Sequence, residues 1–210
     1  MKIYFNLIKY LQEALLSIAI LTMTVLPPLI AFRPDLITGA IISNLFDVSH
    51  YFLFFVMSVR PLADIFTNTK WIRPLVILRK GTGVMSASII VSFILAKLII
   101  DPLGYLGSIA TLPYWSMVNY AVLAHLADIS AVILLVTSNN LSKRLLGIWW
   151  KKIQKLSYVY FYGSVFYVLL SYGTTYLIFI LIAVTAITLI ASIKNKKRLL
   201  LAQNQIQIQV

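Results

Sequence analysis

Six apolar runs, each long enough to cross a lipid bilayer as a helix, divide this sequence. They cover residues 15–32, 41–59, 84–100, 117–136, 156–172 and 175–193. The hydrocarbon core of a bilayer requires about 20 apolar residues per helix. The sequence therefore predicts an all-α integral membrane protein, in which six transmembrane helices form one bundle and residues 1–210 form a single transmembrane domain.

The composition excludes several other classes of protein. Hydrophobic residues make up 60% of the chain, charged residues only 11%, and the mean hydropathy is +0.91, whereas soluble domains average about 25% charged residues. The chain has no cysteine, which excludes disulfides, iron–sulfur clusters and thiolate zinc sites. Six acidic residues and two histidines leave little for a carboxylate active site. We therefore predict no metal site, and the catalytic residues, if there are any, stay unassigned.

The basic residues indicate how the chain is oriented in the membrane. In an alternating six-span arrangement, sixteen of the eighteen Lys and Arg residues fall on one side, while Arg33 lies in an opposite loop and Lys97 lies inside the third run. Loops on the cytoplasmic side carry such an excess of Lys and Arg. The sequence thus predicts cytoplasmic termini in a multi-pass protein of the cell membrane. The net charge of +12 is explained by these loops, so the expected partner is the lipid bilayer and no nucleic acid is expected.

The two histidines are candidate cofactor ligands. His50 and His125 lie in the second and fourth runs, which cross the membrane in the same direction, and each is roughly 12 Å from the outer boundary at 1.5 Å per residue. Two imidazoles at matched depth could hold one haem, or each could be neutral and hydrogen-bonded to a neighbouring helix. Asp47 and Asp128 stand three residues from these histidines. Either could orient an imidazole, relay a proton or form a local packing pair.

The segment before the fifth run carries the most informative motif. Residues 137–158 read TSNNLSKRLLGIWWKKIQKLSY. This stretch resembles the ferric reductase-like transmembrane domain family, in particular its MsrQ haem subunits, in which a basic loop is followed by Leu-Gly-x-x-Trp-x-x-Leu-His-x-Leu-x-Tyr. The residues that match, with Ile153 in place of the second Leu, are Leu146, Gly147, Trp150, Leu156 and Tyr158. Arg60-Pro61-Leu62 and the segment 79–83 also resemble family motifs, so the resemblance covers residues 40–170.

Three departures from the family pattern decide what the resemblance implies. The positions of its haem-ligating histidines are occupied here by Gln154, Tyr167 and Phe93, which are not ordinary ligands of b-type haem. The resemblance therefore implies the fold without its haems. We expect these three side chains to face the bundle interior, and Tyr and Phe rings to fill the space between the third and fifth spans.

Three functions are consistent with the sequence. The first is a haem-less accessory or scaffold subunit of ferric reductase-like fold in a prokaryotic cytoplasmic membrane, with a membrane or outer-side protein partner. The second is a b-type cytochrome-like electron-transfer subunit that binds haem b through His50 and His125. The third is a small proton-coupled transporter that uses His125 and Asp128, although no inverted repeat supports it. If the protein is an enzyme, it is expected to be an oxidoreductase membrane subunit.

Overall fold

The computed structural model describes residues 2–208, and for residue 119 and residues 202–208 it describes only the backbone. Over these residues the chain forms α-helices joined by turns and short 3-10 segments, without a strand. The ten α-helices of the described part are α1 (Lys2–Phe32), α2 (Gly39–Ile65), α3 (Ile72–Leu75), α4 (Leu78–Ile100), α5 (Pro102–Ile109), α6 (Ala121–Val136), α7 (Asn140–Leu146), α8 (Ile148–Ile153), α9 (Leu156–Tyr172) and α10 (Tyr176–Ile208).

Four stretches of helix in the described residues are long and apolar enough to cross a membrane. They are α1, α2, the stretch Ile72–Ile100 that contains α3 and α4, and α10 as far as Leu201. The pair α6 and α7 makes a fifth candidate if it is taken as one span bent by 97°. In α1 and α10 only 17% of the most apolar window is buried inside the protein. These helices therefore present apolar side chains outward, as contact with lipid tails requires.

The fourth helix is the centre of the bundle. It packs along α1 and α2 and also contacts α6, while α6 packs against α9, and α10 packs against α2. Small side chains make these approaches close. A Cβ at Gly81 of α4 would lie 2.8 Å from the Gln12 side-chain oxygen of α1, and a Cβ at Gly163 of α9 would lie 3.0 Å from the Leu123 carbonyl oxygen of α6. Small residues at helix contacts are the usual means of close packing in membranes.

Serine side chains line the buried face of α4. Ser86, Ser88 and Ser92 are at most 1% exposed, and Ser92 donates a hydrogen bond to the Ser88 carbonyl oxygen at 2.7 Å. Next to this stripe lies the apolar core, in which Phe161 and Val165 of α9 are each 1% exposed. The Ser86 hydroxyl instead bonds the facing helix α2, and the Ser88 hydroxyl has no partner among the described residues. The small serine side chains let other helices surround α4 on several sides.

The basic segments meet at one end of the bundle. The Tyr4 hydroxyl of α1 donates to the Trp71 carbonyl oxygen at 2.9 Å, and the Arg198 guanidinium of α10 donates to the Thr67 hydroxyl at 3.0 Å. Residues of the α6–α9 connection share a cavity with the start of α4. We call this the basic end, comprising the start of α1, residues 60–80, residues 137–155 and α10 from Lys194 onward.

The helix bounds depart from the apolar runs at several ends: α2 extends to Ile65 and α4 begins at Leu78, each about six residues beyond its run. α9 covers residues 156–172 as predicted, whereas α1 begins at Lys2 and α10 continues to Ile208. Both extensions carry charged residues and contact the basic end, which apolar length alone does not indicate. The run predicted from residue 117 begins its α-helix only at Ala121. Tyr120 directly before it has φ of +58°, a left-handed conformation that an α-helix cannot include.

Candidate functional site

His50 lies on α2 with 8% of its surface exposed. Its Nδ1 is 2.7 Å from the Phe46 carbonyl oxygen of the same helix. Because a carbonyl oxygen only accepts, Nδ1 carries the hydrogen, and in the neutral ring Nε2 then keeps its lone pair. Nε2 is buried and has no hydrogen-bond partner among the described residues. The neighbouring Asp47 accepts a hydrogen bond from the Tyr176 hydroxyl of α10 at 2.8 Å, so this carboxylate joins two helices.

His125 lies on α6 in an aromatic pocket. Its ring stacks on Tyr114 with centroids 3.6 Å apart and planes 11° apart. The Trp115 ring meets it edge-on, with centroids 5.9 Å apart. Burial and a hydrogen bond with Tyr105 raise the pKa of Tyr114, so the ring stacked on His125 carries a neutral phenol. The buried Nδ1 of His125 has no hydrogen-bond partner among the described residues, and Asp128 on the same helix does not bond it.

The two histidines therefore have different surroundings. The hydrogen bond of His50 stays within α2, and the stacking partners of His125 come from the 3-10 segment Leu112–Trp115. Neither histidine lines the cavities found at the basic end and beside Lys97. Within residues 2–208, no three His, Asp or Glu side chains converge to hold a metal ion. The assignment of His50 and His125 as haem ligands stays a prediction.

The three residues aligned with family ligands lie in separate places. Gln154 faces a cavity and donates from Nε2 to the Thr137 hydroxyl at 3.4 Å. Phe93 of α4 stacks on Phe46 of α2, with ring centroids 4.8 Å apart. Tyr167 is half-buried on α9 and meets the ring of Tyr172 edge-on at 6.2 Å. Gln154 and Phe93 thus contact other segments of the bundle, and the expectation that all three side chains face its interior stays a prediction.

A hydroxyl cluster joins α2, α4 and α9 in the core. The Tyr160 hydroxyl lies 2.9 Å from the Ser86 hydroxyl and 3.4 Å from the Ser49 hydroxyl. Ser86 donates to the Ser49 carbonyl oxygen at 3.0 Å, and Ser49 can donate to the Ser86 carbonyl oxygen at 3.2 Å. Tyr160 is 3% exposed. Its ring fills part of the space between α4 and α9, where the sequence predicts an aromatic filling.

A cavity of about 330 Å³ opens beside this cluster at the basic end. The apolar part of its wall comes mainly from α2, α4 and the segment before α4, namely Leu53, Val56, Val76, Ile77, Gly83, Val84, Ala87 and Leu134. The polar and aromatic part comes from the start of α4 and from residues 138–160, namely Arg79, Lys80, Ser138, Asn139, Asn140, Lys143, Trp150, Gln154, Ser157 and Tyr160. The cavity is therefore apolar on one side and cationic on the other.

The positive charge of this cavity is not neutralised by the protein. Arg79, Lys80 and Lys143 line it, and no acidic side chain of the described residues does. Arg79 is half-buried. Lys143 lies 5.4 Å from the centroid of the Trp150 ring, a cation–π arrangement. The ion pair identified within the described residues, Arg33 with Asp35 at 3.2 Å, belongs to the α1–α2 connection and is remote in sequence.

Sequence reasoning used these cations as markers of topology and missed the cavity. The signal that could have revealed it is the pairing of two basic segments, 79–80 and 143–144, on the same side of the membrane. The second of these follows the amides Asn139 and Asn140. The Asn139 amide itself caps α7 by accepting from the Ser142 backbone at 2.7 Å, so the pairing of the two basic segments is the part of this signal that points to the cavity.

Comparison with known proteins identifies no relative of this chain. No protein-family model, curated protein or solved structure matches the chain.

Proposed function

We propose that the chain crosses the cytoplasmic membrane of a prokaryote six times, with its basic end and both termini in the cytoplasm. The apolar, outward-facing helices and the gathering of basic segments at one end support this arrangement. In this proposal α6 and α9 complete the set of spans. Their 16 and 17 residues give roughly 24–26 Å at 1.5 Å per residue, slightly less than a core of about 30 Å.

A reporter fusion tests the topology. An enzyme that is active only in the cytoplasm, fused after Val210, should be active, and one that is active only outside the membrane should be inactive there. The same pair of fusions placed in the α4–α6 connection, at Gly107, should give the opposite pattern. An outside signal from the C-terminal fusion would overturn the topology.

We propose further that the protein is a haem-less accessory or scaffold subunit of ferric reductase-like fold. The observation that carries this proposal is the packing between α4 and α9, where the Tyr160 ring and its hydroxyl bonds to Ser49 and Ser86 occupy the core. Gln154 stands where the resemblance has a histidine, and its amide is already bonded to Thr137. The Tyr160 ring and the Gln154 amide are not haem ligands, and they suit a bundle whose core is closed. Such a bundle would serve a protein partner in the membrane or on its outer side.

The absorbance spectrum of the purified protein, recorded with and without dithionite, tests this proposal. A haem-less subunit gives no Soret band in either state, even after expression with added haem precursor. A Soret band that shifts on reduction, at close to one haem per chain, would overturn it.

A second function, that of a b-type cytochrome, has one observation in its favour. His50 Nε2 and His125 Nδ1 are both buried without a hydrogen-bond partner among the described residues, and an unpaired imidazole nitrogen is what a metal ligand supplies. Such a protein would pass electrons from a cytoplasmic or quinone donor to an outer acceptor. Loss of a Soret band in His125→Ala, with retention in Gln154→Ala, would establish this function in place of the scaffold.

A further inference from the structure

The cavity at the basic end has the properties of an anion site. We propose that it binds a phosphate group, supplied by the headgroup of an anionic phospholipid or by a soluble phosphate. This inference is independent of whether the protein binds haem, since it rests on Arg79, Lys143, Ser157 and the wall around them.

The first argument is the uncompensated charge. Arg79 is half-buried, the exposed Lys80 and Lys143 share its cavity, and no acidic side chain of the described residues lies in the wall. A cation removed from water without a counter-charge is unfavourable, and cations gathered in one cavity repel one another. A bound anion would remove both penalties, and the guanidinium fork matches two oxygens of a phosphate.

The second argument is an unsatisfied hydrogen-bond donor. Ser157 is only 6% exposed, it lines the cavity, and its hydroxyl has no hydrogen-bond partner among the described residues. Buried hydroxyls are nearly always paired, so a ligand atom that accepts a hydrogen bond is expected beside it. A phosphate oxygen is such an acceptor, and it would lie in the same cavity as the cations.

The third argument is the division of the wall into two chemistries. Leu53, Val56, Ala87 and Leu134 make one side apolar, which suits the glycerol and upper acyl carbons of a lipid better than a free ion. The volume of about 330 Å³ is at the lower end of the range of about 300–1,000 Å³ for small-molecule sites. Basic pockets between transmembrane helices on the cytoplasmic side are known to bind anionic headgroups. The lipid is therefore the favoured source.

Thermal unfolding of the purified full chain in an uncharged detergent tests the proposal. Three additives are compared at equal ionic strength: short-chain phosphatidylglycerol, short-chain phosphatidylcholine, and inorganic phosphate with chloride as its control. Phosphatidylglycerol is expected to raise the Tm with a saturable dependence on its concentration, and phosphatidylcholine is expected to have no such effect. Inorganic phosphate that raises the Tm as strongly would identify a soluble phosphate as the ligand. No saturable shift with either phosphate source would overturn the site.

A pair of charge-matched variants locates the binding. The site variant is Arg79→Gln with Lys143→Gln, and the control is Lys151→Gln with Lys196→Gln, which removes two exposed cations outside the cavity wall. At about 1 kcal/mol per cation near the membrane surface, with tenfold per 1.4 kcal/mol, the site variant should bind about 30-fold more weakly. The control should keep most of its affinity. Equal losses in the two variants would show non-specific attraction and refute the cavity as the site.

A third variant guards against a general effect on folding. Ser157→Ala removes one buried donor and leaves the charges unchanged, so it should weaken phosphatidylglycerol binding severalfold while the ligand-free Tm stays close to that of the parent. Removing repelling cations should likewise leave the ligand-free Tm of the site variant unchanged or raise it. If Ser157→Ala binds like the parent, the predicted position of the phosphate is wrong.

Discussion

Removal of the Tyr160 hydroxyl is the most direct test of how the core is closed. In Tyr160→Phe the ring stays, and the protein loses one contact of 2.9 Å to Ser86 and a weaker one of 3.4 Å to Ser49. Both serines keep backbone carbonyl acceptors on the facing helix, so no donor is left unpaired. A hydroxyl bond inside a membrane protein contributes about 0.6 kcal/mol on average and about 1.7 at most. We expect the free energy of unfolding to fall by about 1 kcal/mol.

Two further substitutions set the scale of this effect. Ser86→Ala leaves the buried Tyr160 hydroxyl with only the 3.4 Å contact to Ser49, and an under-satisfied buried polar group costs about 1–3 kcal/mol. Tyr160→Ala removes a ring that is 3% exposed and should lower the free energy of unfolding by about 3–5 kcal/mol, as for other buried aromatic residues. Tyr160→Phe is expected to destabilise the protein least, Ser86→Ala more, and Tyr160→Ala most.

Reversible unfolding in mixed micelles of an uncharged detergent and dodecyl sulfate, followed by circular dichroism, measures these free energies. Tyr158→Phe is the matched control, because this tyrosine lies on the same helix but is 41% exposed and should change stability by less than about 0.5 kcal/mol. If Tyr160→Phe equals the control and Tyr160→Ala loses no more than about 1 kcal/mol, the aromatic closure of the bundle is refuted.

Three further predictions concern the helix contacts and turns. Gly163→Ala places a Cβ 3.0 Å from a carbonyl oxygen of α6 and should destabilise by about 1–3 kcal/mol. Gly107→Ala, within α5, meets nothing within 4 Å and should be neutral or stabilise by up to about 1 kcal/mol in the same unfolding assay. Gly147→Ala should lower the Tm more than Gly173→Ala. The backbone of Gly147, with φ +50° and ψ −118°, is less accessible to L residues than the left-handed helical conformation of Gly173, with φ +66°. Asn195→Ala removes a 3.1 Å bond to a carboxylate of α2 and should speed proteolysis of the end of α10 while leaving the bundle intact.

Apolar length predicted the all-helical class and the presence of several helices long enough to cross a membrane. α9 runs from Leu156 to Tyr172 as expected, because the sequence signals both of its ends. Basic residues precede the helix, and Gly173, with φ +66°, follows it. The break before α6 was missed, since the left-handed Tyr120 has no sequence signature of the kind that glycine gives. The six-span count stays a prediction, because α6 and α9 fall just below membrane length by themselves.

The site was less accessible to sequence reasoning than the fold. Depth along a helix placed His50 and His125 at one level, but depth does not give the direction of a side chain around the helix axis. The stacking of His125 on Tyr114 depends on a 3-10 segment, and such segments lack a periodic pattern. The cavity depends on four separate parts of the chain, so no single window of sequence contains it.

The pairing of α1 with α4 has a consequence for biosynthesis. α1 packs extensively against α4 and not against α2, the next long helix in the chain. The Gln12 side chain of α1 accepts a hydrogen bond from the Gly81 backbone of α4 at 3.0 Å. When α1 leaves the ribosome, about 70 more residues must be made before α4 is complete, which takes roughly 4–14 s at about 5–20 residues per second. During that interval α1 lacks its native neighbour, and the Gln12 amide, which lies ahead of the apolar run 15–32, exchanges hydrogen bonds with water until Gly81 of the third apolar segment replaces them.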